Sequence, residues 1–189
     1  RVLSVQGCLS GTLGLICTRL DEGKTLSNAV AEAMSLGYTE PDPRDDLSGT
    51  DVARKSLIIA REVGVFVEPS DIQLKALIPR RFFRIGSVGQ FLKELPTVDA
   101  KMQDLARKAR AGGNVLRYVV DISDDGCKVG PKIIPRDSPI GRLSGPDNIL
   151  VFKTTRYYDH PLVIQGPGAG ASVTAAGVLS DLLKIAKWI

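Results

Sequence analysis

Five carboxylates, Glu40, Asp42, Asp45, Asp46 and Asp51, crowd the stretch "GYTEPDPRDDLSGTDVARK" at residues 37–55, which closes on Arg54 and Lys55. Asp51 and Lys55 are four apart, so on a helix their side chains share a face about one turn apart. Carboxylates drawn together repel one another unless a cation is expected among them, whether a metal, an ammonium group or Lys55 itself. A substrate carrying an amine, with a lysine exchanging the reacting proton, would meet both requirements. Histidine offers no comparable route, because His160 is the only one and sits between Asp159 and Pro161 beside an expected strand end. Cys8, Cys17 and Cys127 lack a base for the same reason, so carboxylates and lysine must carry any acid–base work. A plainer account fits the same residues. A capping box, in which Ser48 caps a helix and Asp51 reaches back to it, plus a surface ion pair would together be worth about 1 kcal/mol.

A second pattern is "GPGAGAS", residues 166–172, between an expected strand and an expected helix. Gly166, Gly168 and Ala171 match the G-x-G-x-x-G/A fingerprint, whose glycines let backbone amides approach a phosphate at a helix N-terminus. The complete fingerprint needs a further strand and an acidic residue about 20 positions on. Residues 166–189 are therefore not expected to form a full Rossmann unit. Two readings stay open for this loop: it touches a cofactor, or it lets the helix pack closely.

The surrounding periodicity defines the elements that must position these groups. Leu9, Leu13, Ile16 and Leu20 recur at helical spacing, with Gly11 and Gly14 marking close approach of a ligand or neighbouring backbone. "TLSNAVAEAMSLG" reads as a helix stopped by Gly37; the prolines at 41 and 43 then predict an extended loop. A helix is expected from Ser48 to Val63, ended by Gly64. "IQLKALI" reads as a strand, "SVGQFLKEL" and "AKMQDLARKARAG" as short helices, and "VLRYVVDISDDGCKVGPKII" as a hairpin turning at "DDG". "SPIGRLSGPDN" is loop, "ILVFKTTRYY" and "PLVIQ" are strands, and "SVTAAGVLSDLLKIAKWI" is a closing helix. Helices and strands intermix without a strict βαβ rhythm and the hairpin is antiparallel, so the fold class is α/β with a mixed sheet.

Composition narrows the partners. With 189 residues, 43% of them hydrophobic and 24% charged, the chain has ordinary globular character and can bury about two thirds of its unfolded surface. Its net charge of +4 is spread among interspersed acids and bases. "PRRFFR" at 79–84 is the nearest approach to a nucleic-acid surface, and a solvated helix start accounts for it; no nucleic-acid partner is expected. Three cysteines without C-x-x-C spacing indicate neither zinc nor a disulfide framework and fit a reducing compartment. Neither a membrane span nor a signal peptide is expected. The opening "RVLSVQGCLSGTLG" starts in mid-pattern without Met, as in a piece of a longer polypeptide.

"LSGTLG" (9–14), "GYTEPDPRDDLSGTDVARK" (37–55), "NVLRYV" (114–119) and "GPGAGASVTAAGV" (166–178) stand in the order and spacing of the catalytic region of homoserine dehydrogenases. The likeness spans nearly the whole chain, and it resembles most the homoserine dehydrogenase half of bifunctional aspartokinase/homoserine dehydrogenases. The resemblance implies NAD(P)-dependent interconversion of L-aspartate 4-semialdehyde and L-homoserine, on the route to threonine and methionine. It implies that Lys55 exchanges a proton with the substrate oxygen, that Glu40 and Asp51 hold the substrate through its ammonium group, and that Gly37, Tyr38, Asp46 and Thr12 line the same pocket. Gly170, with Gly168 in the same loop, is implied to touch the cofactor near its nicotinamide. The resemblance further implies a mixed sheet with helices on one side, a homodimer formed through the sheet, and a cytoplasmic enzyme, or a plastid one in a plant; no metal is expected, because a hydride donor carries the difficult step without one. In the family a Rossmann domain precedes this region and binds most of the dinucleotide. Residues 1–189 are thus expected to be the substrate-binding, catalytic and dimerisation domain with the Rossmann domain absent, and inactive as an isolated fragment. A non-catalytic dimerisation module of the same descent is the alternative.

Overall fold

The computed structural model describes residues 1–187. In chain order the elements are β1 (Val2–Cys8), α1 (Gly11–Asp21), α2 (Leu26–Ser35), α3 (Pro43–Ser48), α4 (Thr50–Glu62), β2 (Gln73–Leu74), α5 (Val88–Glu94), α6 (Asp99–Ala111), β3 (Asn114–Ser123), β4 (Gly126–Pro135), β5 (Asn148–Thr154), β6 (Leu162–Gly166) and α7 (Ala171–Ala186). Single 3₁₀ turns occupy Pro69–Asp71, Arg80–Arg84 and Leu95–Val98.

Six strands make one mixed sheet in the order β2-β4-β3-β1-β5-β6. Among the described residues only β2 against β4 is parallel. The β3–β4 hairpin is its longest pairing, in continuous register from Asn114↔Pro135 to Ser123↔Gly126. Alternation along β3 sorts the two faces. Leu116, Tyr118, Val120 and Ile122 join the core under the helices, whereas Val115 and Val119 belong to a second cluster on the opposite face. That opposite face is covered in part by the 136–147 loop, through Ile140 and Leu143. It leaves a polar strip where Gln6 donates to Asp121 and Lys132 pairs with the same carboxylate. Helices on one face of a mixed sheet give the α/β architecture anticipated from the sequence.

The helical core centres on α1, whose Leu13, Ile16 and Leu20 are buried. Farther out, Phe82 and Phe91 are fully buried and meet edge to face at 6.1 Å and 88°, a geometry worth about 0.5–1.5 kcal/mol beyond the area it buries. Phe82 of "PRRFFR" is inside, with Arg81 stacked on it at 5.0 Å.

Several sequence readings are corrected here. Residues 2–8 are a strand, the central β1. The extended loop expected across 41–47 is shorter, because Pro43 opens α3 at its first turn, where its missing N–H costs nothing. No capping box forms at 48–51. Gly49, at φ 74°, separates two helices, so Ser48 ends α3 and α4 carries no side-chain cap. "IQLKALI" pairs only at Gln73 and Leu74, and β5 stops at Thr154. Every residue of α7 is exposed, including Leu179, Leu182, Leu183 and Ile185; the end of the expected helix, Trp188 and Ile189, lies outside the described residues. Among the described residues no helix is long and apolar enough to cross a membrane.

Candidate functional site

Five segments converge at the end of β1. The chain leaves β1 through Leu9, and Ser10 caps α1 by accepting from Leu13 N at 3.2 Å, which places Thr12 in the first helical turn, buried. Thr12 Oγ1 lies 2.5 Å from the Tyr38 carbonyl and 2.9 Å from Asp46 Oδ1. Asp46 Oδ2 accepts from Glu40 N at 2.9 Å. One carboxylate thus ties the Tyr38–Glu40 strand of chain to both α1 and α3. Asp42 caps α3 and grips Arg44, which donates to the Ile85 carbonyl and lies 5.7 Å over Phe91. The acidic stretch is therefore bolted to the core at several points rather than draped over it.

Beyond the Gly49 corner, α4 presents Asp51 and Lys55. Lys55 Nζ donates to Asp51 Oδ2 at 2.9 Å and to the Leu9 carbonyl at 3.2 Å. With side chains 65% and 46% exposed, such a pair is worth only about 0.3–0.5 kcal/mol. A ligand can therefore open it at little cost.

These groups surround a cavity of about 320 Å³. Thr12, Tyr38, Glu40, Asp46, Asp51, Lys55 and Gly168 all line it, so the structure brings together most of the site residues that the sequence suggested. Gly37 and Gly170 do not line it. Gly37, at φ 72°, turns the chain out of α2 and so aims Tyr38; Gly170, at φ 126°, stands at the start of α7. Sequence reasoning missed Ser10, Asp147 and Asn148, which complete the wall. Their signal was faint: the backbone of the 145–147 loop approaches α1 so closely that a Cβ at Gly11 or Gly14 would stand 3.0 Å from the Pro146 oxygen or 2.9 Å from the Gly145 oxygen. The neighbour expected beside those glycines is this loop. Gly168 is pinned in the same way, since its Cβ would sit 1.9 Å from Asn148 Nδ2.

Glu40, Asp46, Asp51 and Asp147 face the cavity, with Lys55 as its only cationic side chain among the described residues. Such a lining favours a ligand that brings positive charge, and an ammonium ligand would satisfy the carboxylates while displacing Asp51 from Lys55. Lys55 then stands free to give a proton to, or take one from, an oxygen on the same ligand.

Fold and site together define an α/β domain with an acidic, lysine-bearing pocket at one end of a mixed sheet. A family model for homoserine dehydrogenase matches residues 1–183. The chain is 46% identical over 191 residues to the bifunctional aspartokinase/homoserine dehydrogenase 1, chloroplastic, of Zea mays, covering 100% of this chain and 21% of that protein. It is 42% identical over 196 residues to the homoserine dehydrogenase of Paracoccidioides brasiliensis, covering 98% and 53%. The crystal structure of a putative homoserine dehydrogenase from Archaeoglobus fulgidus superposes with a TM-score of 0.78 at 28% identity, over 97% of this chain and 50% of that one. The chain belongs to the homoserine dehydrogenase family, and it spans about half the length of the single-function relative and about a fifth of the bifunctional one.

Proposed function

We propose that this chain is the substrate-binding, catalytic and dimerisation region of an enzyme that interconverts L-aspartate 4-semialdehyde and L-homoserine with NAD(P). One observation carries the reading: a single lysine, Lys55, held by a weak ion pair and a carbonyl at the rim of a pocket lined by four carboxylates. Both small molecules carry an ammonium group at one end and an oxygen at the other, the carbonyl of the aldehyde or the hydroxyl of the alcohol. Glu40 and Asp51 receive the ammonium. Asp46, engaged with Thr12 and with the Glu40 amide, holds Glu40 in place. Lys55 donates its proton to the carbonyl oxygen as that becomes a hydroxyl, and takes it back in the reverse direction.

The dinucleotide, when bound, supplies or accepts the hydride at the carbon bearing that oxygen. The 167–169 loop fits its nicotinamide end. Pro167, Gly168 and Ala169 line the pocket with little side-chain bulk, and Gly170 has open space where a Cβ would stand, so a flat ring can pass close to the backbone. We assign the rest of the dinucleotide to a further domain of a longer enzyme, and the dimer contact to the sheet face of Gln6, Asp121 and Lys132.

Steady-state turnover of that longer enzyme tests the assignment. Lys55→Ala should lower kcat by about 10²–10⁴, the usual loss of a general acid–base, and near-normal turnover would overturn it. Titrating the 189-residue chain with NADPH, followed by nicotinamide fluorescence, should show weak binding at most; tight binding would contradict the division of the cofactor site. Light scattering that found only monomer would remove the dimer role.

A further inference from the structure

A second and larger cavity, of about 660 Å³, lies on the helical side of the sheet between α6 and the segment that follows β2. Leu77, Ile78 and Phe83 form one wall, and Met102 and Leu105 of α6 face them. Lys75, Arg80 and Lys101 stand exposed around it, and among the described residues no aspartate or glutamate lines it. Its charge is the reverse of the substrate pocket's. The volume falls within the range of about 300–1,000 Å³ usual for small-molecule sites.

The wall is built rather than frayed. Lys75 N donates to the Val129 carbonyl at 2.8 Å and Leu77 N to the Leu47 carbonyl at 3.0 Å. Tyr118 Oη donates to the Lys75 carbonyl at 2.9 Å. These bonds use backbone groups of 75–77, so the Lys75 side chain is left for a ligand. Ser48 and Thr50 add hydroxyls on the side nearest the Gly49 corner.

We infer that this cavity is a second binding site, for a small carboxylic acid with an apolar body. The apolar portion would lie between Leu77, Ile78 and Met102, where burial stabilises it in proportion to its area. The carboxylate would sit among Lys75, Arg80 and Lys101. An ammonium compound of the same shape would meet three like charges and be rejected.

Isothermal titration of the 189-residue chain tests this with octanoate as the probe and with acetate and octylamine as controls. Octanoate should bind saturably at one site, and both controls at least about tenfold more weakly, because each lacks one half of the recognition. Lys75→Glu with Lys101→Glu, both at exposed positions, should weaken octanoate about tenfold or more while leaving the unfolding midpoint unchanged. Lys55→Ala should leave octanoate binding as it was, which separates this site from the substrate pocket and from any failure of the reading given above. Equal binding of octylamine, indifference to the charge reversal, or loss of binding in Lys55→Ala would overturn the inference.

Discussion

The hydroxyl of Tyr118 stands 1.8 Å from the point where a Cβ on Gly49 would lie. No other residue type fits that corner without moving the phenol, and the backbone there, at φ 74°, is itself one that L side chains rarely adopt. The contact joins the hairpin to the bend between α3 and α4, with Asp46 on one side and Asp51 and Lys55 on the other. Gly49→Ala is expected to cost about 2–4 kcal/mol, from left-handed strain and overpacking together. Urea unfolding checks it through a lowered midpoint at unchanged slope. Tyr118→Phe in the same chain should recover part of the loss, since the oxygen is the nearest atom; a cost below about 1 kcal/mol in the single variant would show that the corner yields.

That corner also explains where sequence reasoning succeeded and failed. "SGTD" has the spacing of a capping box, but whether Ser48 starts a helix or ends one is decided by Gly49 against Tyr118, 69 positions downstream. Local pattern cannot carry that information. The β3–β4 hairpin was legible because alternation and the turn at Asp124–Gly126 are both local. β1 was not legible: its "VLSVQGC" is part polar, and only the pairing with β3 and β5 on both sides fixes it as a strand. The acidic half of the site could be read because Glu40, Asp46, Asp51 and Lys55 lie within one short stretch. Asp147 and Asn148 could not, because their loop is placed from a distance. Buried Arg117 donates to the carbonyls of Gly141 and Leu143 at 3.0 and 2.8 Å and so holds the 136–147 loop on the sheet.

Asp46 is expected to act by holding the chain at Glu40. Both its oxygens are engaged, one by the Thr12 hydroxyl and one by the Glu40 amide. Asp46→Ala leaves that amide unpaired and should speed its hydrogen exchange about ten- to hundredfold, the range for losing a hydrogen bond to a charged acceptor. Asp46→Asn can still present an oxygen to the Glu40 amide and should keep most of the protection. Equal exchange in all three proteins would show that the bond does not restrain the loop.

The start of α3 should weaken in acid. Arg44, hydrogen-bonded to both oxygens of Asp42, holds that carboxyl below its ordinary value of 3.8, against a smaller upward push from burial. A carboxylate depressed in the folded state binds its proton more readily when unfolded, so its contribution is complete above the unfolded value and is lost as pH falls through the folded one. Stability measured by urea titration should therefore decline from about pH 4 downward more steeply in the wild type than in Asp42→Asn. Glu32, held down by Lys24 and Arg19, adds a slope of the same sign in both proteins and cancels in the comparison. Parallel curves would deny Asp42 its part.

The three thiols are expected to be silent in the native state. Burial, reinforced by the proximity of Cys17, pushes Cys8 up to about 12, with Arg117 opposing; burial pushes Cys17 up to about 11, again against Arg117. Cys127 is raised by burial too, and its Sγ donates to Ser56 Oγ at 3.3 Å. Since the thiolate is the reactive form, these buried thiols stay protonated and unreactive at pH 8. Reaction with an aromatic disulfide reagent must then wait for opening of the core. The native protein should release almost no thiolate over the time in which the urea-unfolded chain releases three equivalents, and the native rate should rise with urea as stability falls. A fast native equivalent would mean that one of these cysteines is reached without unfolding. Its identity, found by mapping the labelled residue, would show which of the two faces of the sheet opens.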